Sequence, residues 1–237
     1  MSKDRDPQLS AATYGDYRVS FVSDPAPASA VGGDVLMFES HPDGSLRFFI
    51  ADMAGSGQFG HDNWELVAPA VRRAWDDLCA SESSATNVQQ FGEAVNAVAF
   101  EANTSLCAAA GRLSSERLEW AGWGWGAHIL ASLAGVASPL GPVEEAYGLK
   151  LGWLSSDDFT EVDSAFVWRE MSAPTQVVLF TDGILGDDHR DAASTWAWIE
   201  DINHQIAGIS GDAALALLLE RSELRGDDVT AAVVNPA

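Results

Sequence analysis

The sequence predicts an α+β domain on three observations. Two short apolar runs each end in an acid followed by a glycine-bearing turn, a pair of amphipathic stretches with helical spacing follows the first run, and a meander of strand patterns precedes the second. The first run, Phe48-Phe49-Ile50-Ala51-Asp52-Met53-Ala54-Gly55-Ser56-Gly57, opens on four apolar residues and breaks into Gly-x-Gly. It is too short for a helix and reads as a buried strand with Asp52 at its end. A carboxylate placed there needs a cation, a cluster of backbone N–H groups or a metal, because burying it alone is expensive.

Taken in order, residues 1 to 12 are polar and expected to be frayed, leaving 13 to 237 as a single domain without internal repeat or low-complexity linker. Tyr17 to Val22 alternates as a strand, broken by Asp24-Pro25-Ala26-Pro27. Gly32-Gly33-Asp34 leads into Val35 to Phe38, and His41-Pro42-Asp43-Gly44-Ser45 is the turn of a hairpin whose second arm is Leu46 to Asp52. The period then changes. Trp64, Val67, Val71, Trp75 and Leu78 form one stripe of a helix over about 61 to 80. Thr86-Asn87-Val88-Gln89 has the form of a capping box, and Val88, Phe91, Val95, Val98 and Ala102 make a second stripe.

Leu106 to Leu113, Arg117 to Trp123 and Trp125 to Leu133 read as a strand meander turning first at Ser114-Ser115, and 134 to 148 has the Pro and Gly content of a loop. Strands are expected again near Lys150 to Leu154 and Ala165 to Trp168. Gln176 to Phe180 is the second buried strand, ending in Thr181-Asp182-Gly183. Trp196, Ile199, Ile202 and Ile206 predict a third helix and Ala213 to Leu224 a fourth, before Gly226-Asp227-Asp228 and a last strand, Val229 to Val234. Trp120, Trp123 and Trp125 lie on one expected strand, where core packing between sheet and helix outweighs an exposed aromatic face. Trp196 and Trp198 cannot both face the core of one helix.

Composition excludes several function classes. A net charge of −22 repels nucleic-acid phosphates and anionic membranes, so neither is an expected partner. No apolar run approaches the roughly 20 residues of a membrane span, and the charged Met1-Ser2-Lys3-Asp4-Arg5-Asp6 start has no signal-peptide core. Cys79 and Cys107 lack CxxC spacing and argue for a reducing compartment, so the expected location is the cytoplasm. There is no Gly-x-Ser-x-Gly elbow, Cys-based phosphatase loop or P-loop lysine. His41, His61, His128, His189 and His204 show no zinc spacing and read as surface or packing residues.

Asp34, Asp52, Asp182 and Asp227 share one local grammar, an acid at a glycine-bearing turn abutting an apolar strand. If these strand ends converge, the carboxylates repel one another unless cations screen them, and hard oxygen ligands of this kind suit Mg²⁺ or Mn²⁺. The alternative is that Asp-Gly merely marks turns, as at Asp43-Gly44.

Gly32-Gly33-Asp34, Asp52-Met53-Ala54-Gly55-Ser56-Gly57, Thr181-Asp182-Gly183-Ile184 and Asp227-Asp228-Val229-Thr230, in that order, resemble the PP2C-type (PPM) metal-dependent protein phosphatases, in particular their bacterial SpoIIE/RsbU/RsbX-like branch. The resemblance covers about residues 17 to 234. It implies a four-layer αββα sandwich, two packed antiparallel sheets flanked by helices, with a metal site at one end. It implies two divalent ions, Mn²⁺ or Mg²⁺, bridged by Asp52 and held by the Met53 backbone carbonyl, Asp34, Asp182 and Asp227. Gly33, Gly55, Ser56, Gly183 and Asp228 would support these ligands. The implied reaction is hydrolysis of a phosphoserine or phosphothreonine protein by metal-activated water, catalysed through Asp52 and Asp182. The implied substrate is an anti-sigma antagonist or stressosome protein of a partner-switching or stress-signalling pathway.

Two departures stand out. Relatives commonly have Gly-His-Gly at Gly55-Ser56-Gly57 and Ala-Gly-His at Ala121-Gly122-Trp123. Serine cannot serve as a general acid near neutral pH, so turnover is expected to be slow. The same replacements motivate a different class, a pseudophosphatase that binds a phosphoprotein without hydrolysing it. A haloacid-dehalogenase-type reading rests on Thr181-Asp182-Gly183 alone and lacks the required Asp-x-Asp motif.

Overall fold

The computed structural model describes residues 9–26, 29–82, 84–123, 127–133, 136–139, 168–185, 198, 201–202, 204–206, 208–221 and 227–237. Eleven strands among these form two antiparallel sheets. They are β1 (Ser10–Tyr14), β2 (Tyr17–Asp24), β3 (Val35–Ser40), β4 (Leu46–Met53), β5 (Leu106–Leu113), β6 (Arg117–Trp123), β7 (Ala127–Leu133), β8 (Val136–Pro139), β9 (Arg169–Ser172), β10 (Gln176–Thr181) and β11 (Val229–Pro236). One sheet has the order β1-β2-β11-β10-β7-β8 and the other β3-β4-β5-β6-β9. Helices α1 (Gly57–Ala80) and α2 (Ala85–Glu101) lie between β4 and β5, and α3 (Gly211–Arg221) precedes β11.

Strand alternation generates the layers. On β4, Leu46, Phe48 and Ile50 face β2, β10 and β11 through Val19, Val177, Leu179, Ala232 and Val234, forming the core between the sheets. Phe49, Ala51 and Met53, on the other face, pack against Trp64, Val67, Val71 and Trp75 of α1 and Phe91 and Val95 of α2. On β10 the same parity sends Val178 and Phe180 outward to Leu215 and Leu218 of α3 and to the helical residues Ile202 and Ile206. Three apolar interlayers separate four layers, the αββα sandwich that the family resemblance implied.

Small residues on β5 admit the aromatic ones. A Cβ on Gly111 would stand 2.5 Å from the Phe48 ring, and Ala110 lies opposite Phe49. Behind the sheet the Phe49, Trp75 and Phe91 rings stack edge to face or tilted, with centroids 5.3–6.2 Å apart. Trp120 and Trp123 are both buried, but on opposite faces of β6: Trp120 between the sheets, Trp123 against Gly92 of α2. Three residues apart on a strand, they cannot share a face. Trp198 is half-buried and packs on Phe180 with centroids 6.3 Å apart; Trp125 and Trp196 lie outside the described residues.

Several boundaries differ from the sequence reading. β1 begins at Ser10, inside the stretch expected to fray, because its backbone pairs with β2 from Ser10↔Phe21 to Tyr14↔Tyr17. Helix α1 starts at Gly57, four residues early; its first turn has no apolar stripe and is fixed by a distant acid described below. The N-cap of α2 is Ser84, which accepts from Asn87 N at 3.1 Å, two residues before the expected Thr86. Val136–Pro139 pairs with β7 within the expected loop. Trp168 is described outside any strand and β9 follows it, while the strand expected at 150–154 lies outside the described residues.

Arg47 joins β4 to α1. It is 3% exposed and donates through Nη1 to Leu78 O and through Nη2 to Ser81 O. The last turn of α1 has no basic residue of its own, so this guanidinium adds charge-assisted donors, at Leu78 O beside those from Ser81 N and Oγ, and the positive charge that a helix C-terminus favours. Arg47→Met is expected to lower unfolding free energy by about 2–4 kcal/mol, since it removes two charge-assisted bonds. An unchanged urea midpoint would contradict this.

Candidate metal and phosphate site

Register brings the acids to one end of the sandwich. Val35 pairs with Ala51, so Asp34, preceding β3, and Asp52, near the end of β4, sit at the same edge of one sheet. Phe180 pairs with Ala231, so Asp182, following β10, and Asp227-Asp228, preceding β11, sit together at the edge of the other. A side-chain hydrogen bond ties the edges: Thr181 Oγ1 donates to Asp34 Oδ2 at 2.6 Å.

Asp228 is the hub. It is 3% exposed. Its Oδ1 accepts from Ala26 N at 2.6 Å and its Oδ2 from Gly33 N at 2.7 Å, while Gly57 N stands 3.1 Å from both oxygens. A buried carboxylate is thus satisfied by backbone dipoles from three segments, including the N-terminus of α1, where negative charge is favoured. Ser56 holds the N-cap position of α1 without a side-chain cap bond; Asp228 performs that role from across the fold.

The glycines make this approach possible. A Cβ on Gly183 would lie 1.9 Å from the Asp228 carbonyl oxygen, and one on Gly33 would lie 2.7 Å from the Gly60 Cα. Gly55 has φ +89° with the Phe59 ring over it, a backbone state that side chains rarely adopt. The turn after Asp52 is further fixed by Ala54 N donating to Ser105 O and Asn63 Nδ2 donating to Ala54 O, both at 2.8 Å.

Of the sequence-predicted site residues, Asp182, Asp227 and Asp228 each act electrostatically on Asp34. Asp52 reaches the same end by register, opposite Cys107. Met53 buries its side chain in the core beneath α1. Asp227 is exposed and accepts from Asp228 N at 2.8 Å. Trp123 sits in the helix–sheet core, so its replacement of histidine adds a packing residue. Thr181 is the residue sequence reasoning missed; its signal was a hydroxyl directly before Asp182 at the end of an otherwise apolar strand.

Burial pushes the Asp34 carboxyl up from 3.8 to about 8; the Thr181 bond pulls it down, while the charges of Asp228, Asp182 and Asp227 push it up further. Among the described residues no group of three or more His, Cys, Asp or Glu is already arranged to hold a metal ion. The donors nevertheless suit a hard divalent cation in kind. They are carboxylate oxygens, one of them desolvated among like charges, a condition that a bound cation relieves.

The fold is that of the PP2C-type protein phosphatases. Among solved structures, RsbX in complex with magnesium superposes with a TM-score of 0.69 at 14% identity, covering 97% of this chain and 100% of that one. The RsbU and RsbW domains of a Mycobacterium tuberculosis protein give 0.68 at 19% identity, over 97% of this chain and 61% of that one. The catalytic domain of the serine/threonine phosphatase PstP with two manganese ions gives 0.58 at 13% identity, over 92% and 97%. No protein-family model matches the sequence, and no curated protein matches it.

An acid whose pKa is higher folded than unfolded favours folding at low pH and loses that contribution as pH rises, here between about 4 and about 8. In buffer stripped of divalent ions, the melting temperature of the native chain is therefore expected to fall more steeply from about pH 5 to about pH 8 than that of Asp34→Asn. Parallel calorimetric curves would contradict this.

Proposed function

We propose that the chain is a metal-dependent protein serine/threonine phosphatase. The observation that carries this reading is the meeting of acids from both sheets at one end, clamped by the Thr181–Asp34 bond at 2.6 Å and by Asp228. Asp34, Asp52, Asp182 and Asp227, with the Met53 carbonyl, would hold two divalent ions, Mn²⁺ or Mg²⁺. Such ions, when bound, make water the nucleophile and neutralise charge on the phosphoryl group.

The chain's own residues order this site. Thr181 turns the Asp34 carboxylate, Asp228 fixes the backbone of Gly33 and Gly57, and Gly183 lets the Asp182 turn lie against the Asp228 backbone. Ser56 supplies no acid of useful pKa, so protonation of the leaving group falls to solvent and turnover is slow. The substrate class is a phosphoserine or phosphothreonine protein. The RsbX and RsbU–RsbW likenesses support a partner-switching or stress-signalling setting, with an anti-sigma antagonist or stressosome protein as substrate. The compartment proposed is the cytoplasm; among the described residues no helix is long and apolar enough to cross a membrane.

A second reading, a binding protein without hydrolytic activity, is favoured by one observation, that serine and tryptophan stand at Ser56 and Trp123, where the family resemblance leads one to expect histidine. Hydrolysis of para-nitrophenyl phosphate separates the two. Activity is expected with Mn²⁺, is lost in EDTA, and falls roughly 10- to 100-fold or more in Asp52→Asn and Asp182→Asn. No hydrolysis with Mn²⁺, or an unchanged Asp52→Asn, would overturn the enzyme in favour of the binding protein.

A further inference from the structure

We infer that Thr181 is a positioning residue for Asp34, and through it for cation uptake; the inference rests on the metal-dependent reading of the site. Thr181 is fully buried. Its hydroxyl has two acceptors in reach, Asp34 Oδ2 at 2.6 Å and Thr230 O at 3.3 Å, of which the carboxylate is nearer and the stronger acceptor, and it accepts from Thr230 N at 3.0 Å. The acceptor bond to β11 fixes where the hydroxyl oxygen sits, and the β-branched side chain restricts its rotation about Cα–Cβ. Its proton is therefore directed across the gap between the sheets to a carboxylate on the other one.

Asp34 has a second restraint at its backbone. The preceding residue, Gly33, donates its N–H to Asp228 at 2.7 Å. Asp228 and Thr230 flank the start of β11, and Thr181 ends β10. The position and the orientation of Asp34 are thus both set by the opposite sheet. The rotamer entropy of the carboxylate is given up in folding, so an ion arriving at the site meets an oriented ligand.

The donated proton also opposes the repulsion from Asp182, Asp227 and Asp228. In Thr181→Val, which keeps the shape and loses the hydroxyl, Asp34 would have no such tether and would turn away from its acidic neighbours.

The test measures Mn²⁺ binding to the full chain by isothermal titration calorimetry, with para-nitrophenyl phosphate hydrolysis followed as a function of Mn²⁺. Thr181→Val is expected to weaken Mn²⁺ binding by roughly 10- to 100-fold and to raise the Mn²⁺ concentration for half-maximal activity in proportion. The rate at saturating Mn²⁺ should change by less than about threefold, since the hydroxyl acts through Asp34 and touches no substrate. Thr181→Ser restores native binding. In an Asp34→Asn background, Thr181→Val has no further effect on Mn²⁺ binding, a coupling that a purely structural hydroxyl would not show.

Should Thr181→Val not fold, Thr181→Ser against Thr181→Ala gives the same comparison: Ser is expected to bind Mn²⁺ like the native chain and Ala more weakly. Native affinity in Thr181→Val, equal affinity in Ser and Ala, or equal losses with and without Asp34 would overturn the inference while leaving the phosphatase reading in place. A native chain that takes up no Mn²⁺ and hydrolyses nothing would overturn both.

Discussion

One buried carboxylate holds the functional end of this molecule together. Asp228 gathers N–H groups from the segment before β3, from the turn that opens α1 and from the residue before Asp34. No cation is needed for this, because backbone dipoles and the N-terminal end of a long helix supply the positive potential. The cost falls on the surrounding sequence, which is glycine at the two positions where a Cβ would meet Asp228, Gly32 and Gly183. Gly32 and Gly183 are therefore steric consequences of one acid, whereas Gly33 is required by the approach of Gly60 and Gly57 by its φ of +58°.

The remaining architecture delivers acids to this clamp. Strand alternation splits the apolar residues of β4, β10 and β11 between an inter-sheet core and two helix-covered faces. Stacking the sheets sets two strand ends from each side at one edge. The dominant electrostatic fact there is repulsion: the Asp34 carboxyl is desolvated, surrounded by like charge and pushed up to about 8. Clustering charge in this way costs stability, and structures tolerate such a cost where function uses it. The divalent cations of the proposed function would turn this repulsion into attraction.

Much of the fold was legible because periodicity is a local property. Trp64, Val67, Val71, Trp75 and Leu78 located α1, and the two buried strands ending in acids fell where β4 and β10 lie. What escaped was set by partners distant in sequence. The start of α1 at Gly57 depends on an acid 171 residues away, and β1 has no apolar pattern because an edge strand is stabilised by backbone pairing with β2. The acids that meet at this end stand out in the sequence because each lies at a glycine-bearing turn abutting an apolar strand. Thr181 does not, since a threonine at a strand end reads as ordinary β propensity until Asp34 is found opposite it. Trp123 packs between sheet and helix as expected, against α2, while Trp120, three residues away and so on the other face, packs between the two sheets instead.

The most direct measurement is a crystal structure of the full chain grown with Mn²⁺, with data collected at the manganese absorption edge. Anomalous density among the carboxylates of Asp34, Asp52, Asp182 and Asp227 is the expected result, with the Thr181 and Asp228 bonds intact beneath it. Ions bound elsewhere, or none at that end while the same crystals hold manganese at other acids, would contradict the central claim that two sheets converge their carboxylates to bind divalent cations.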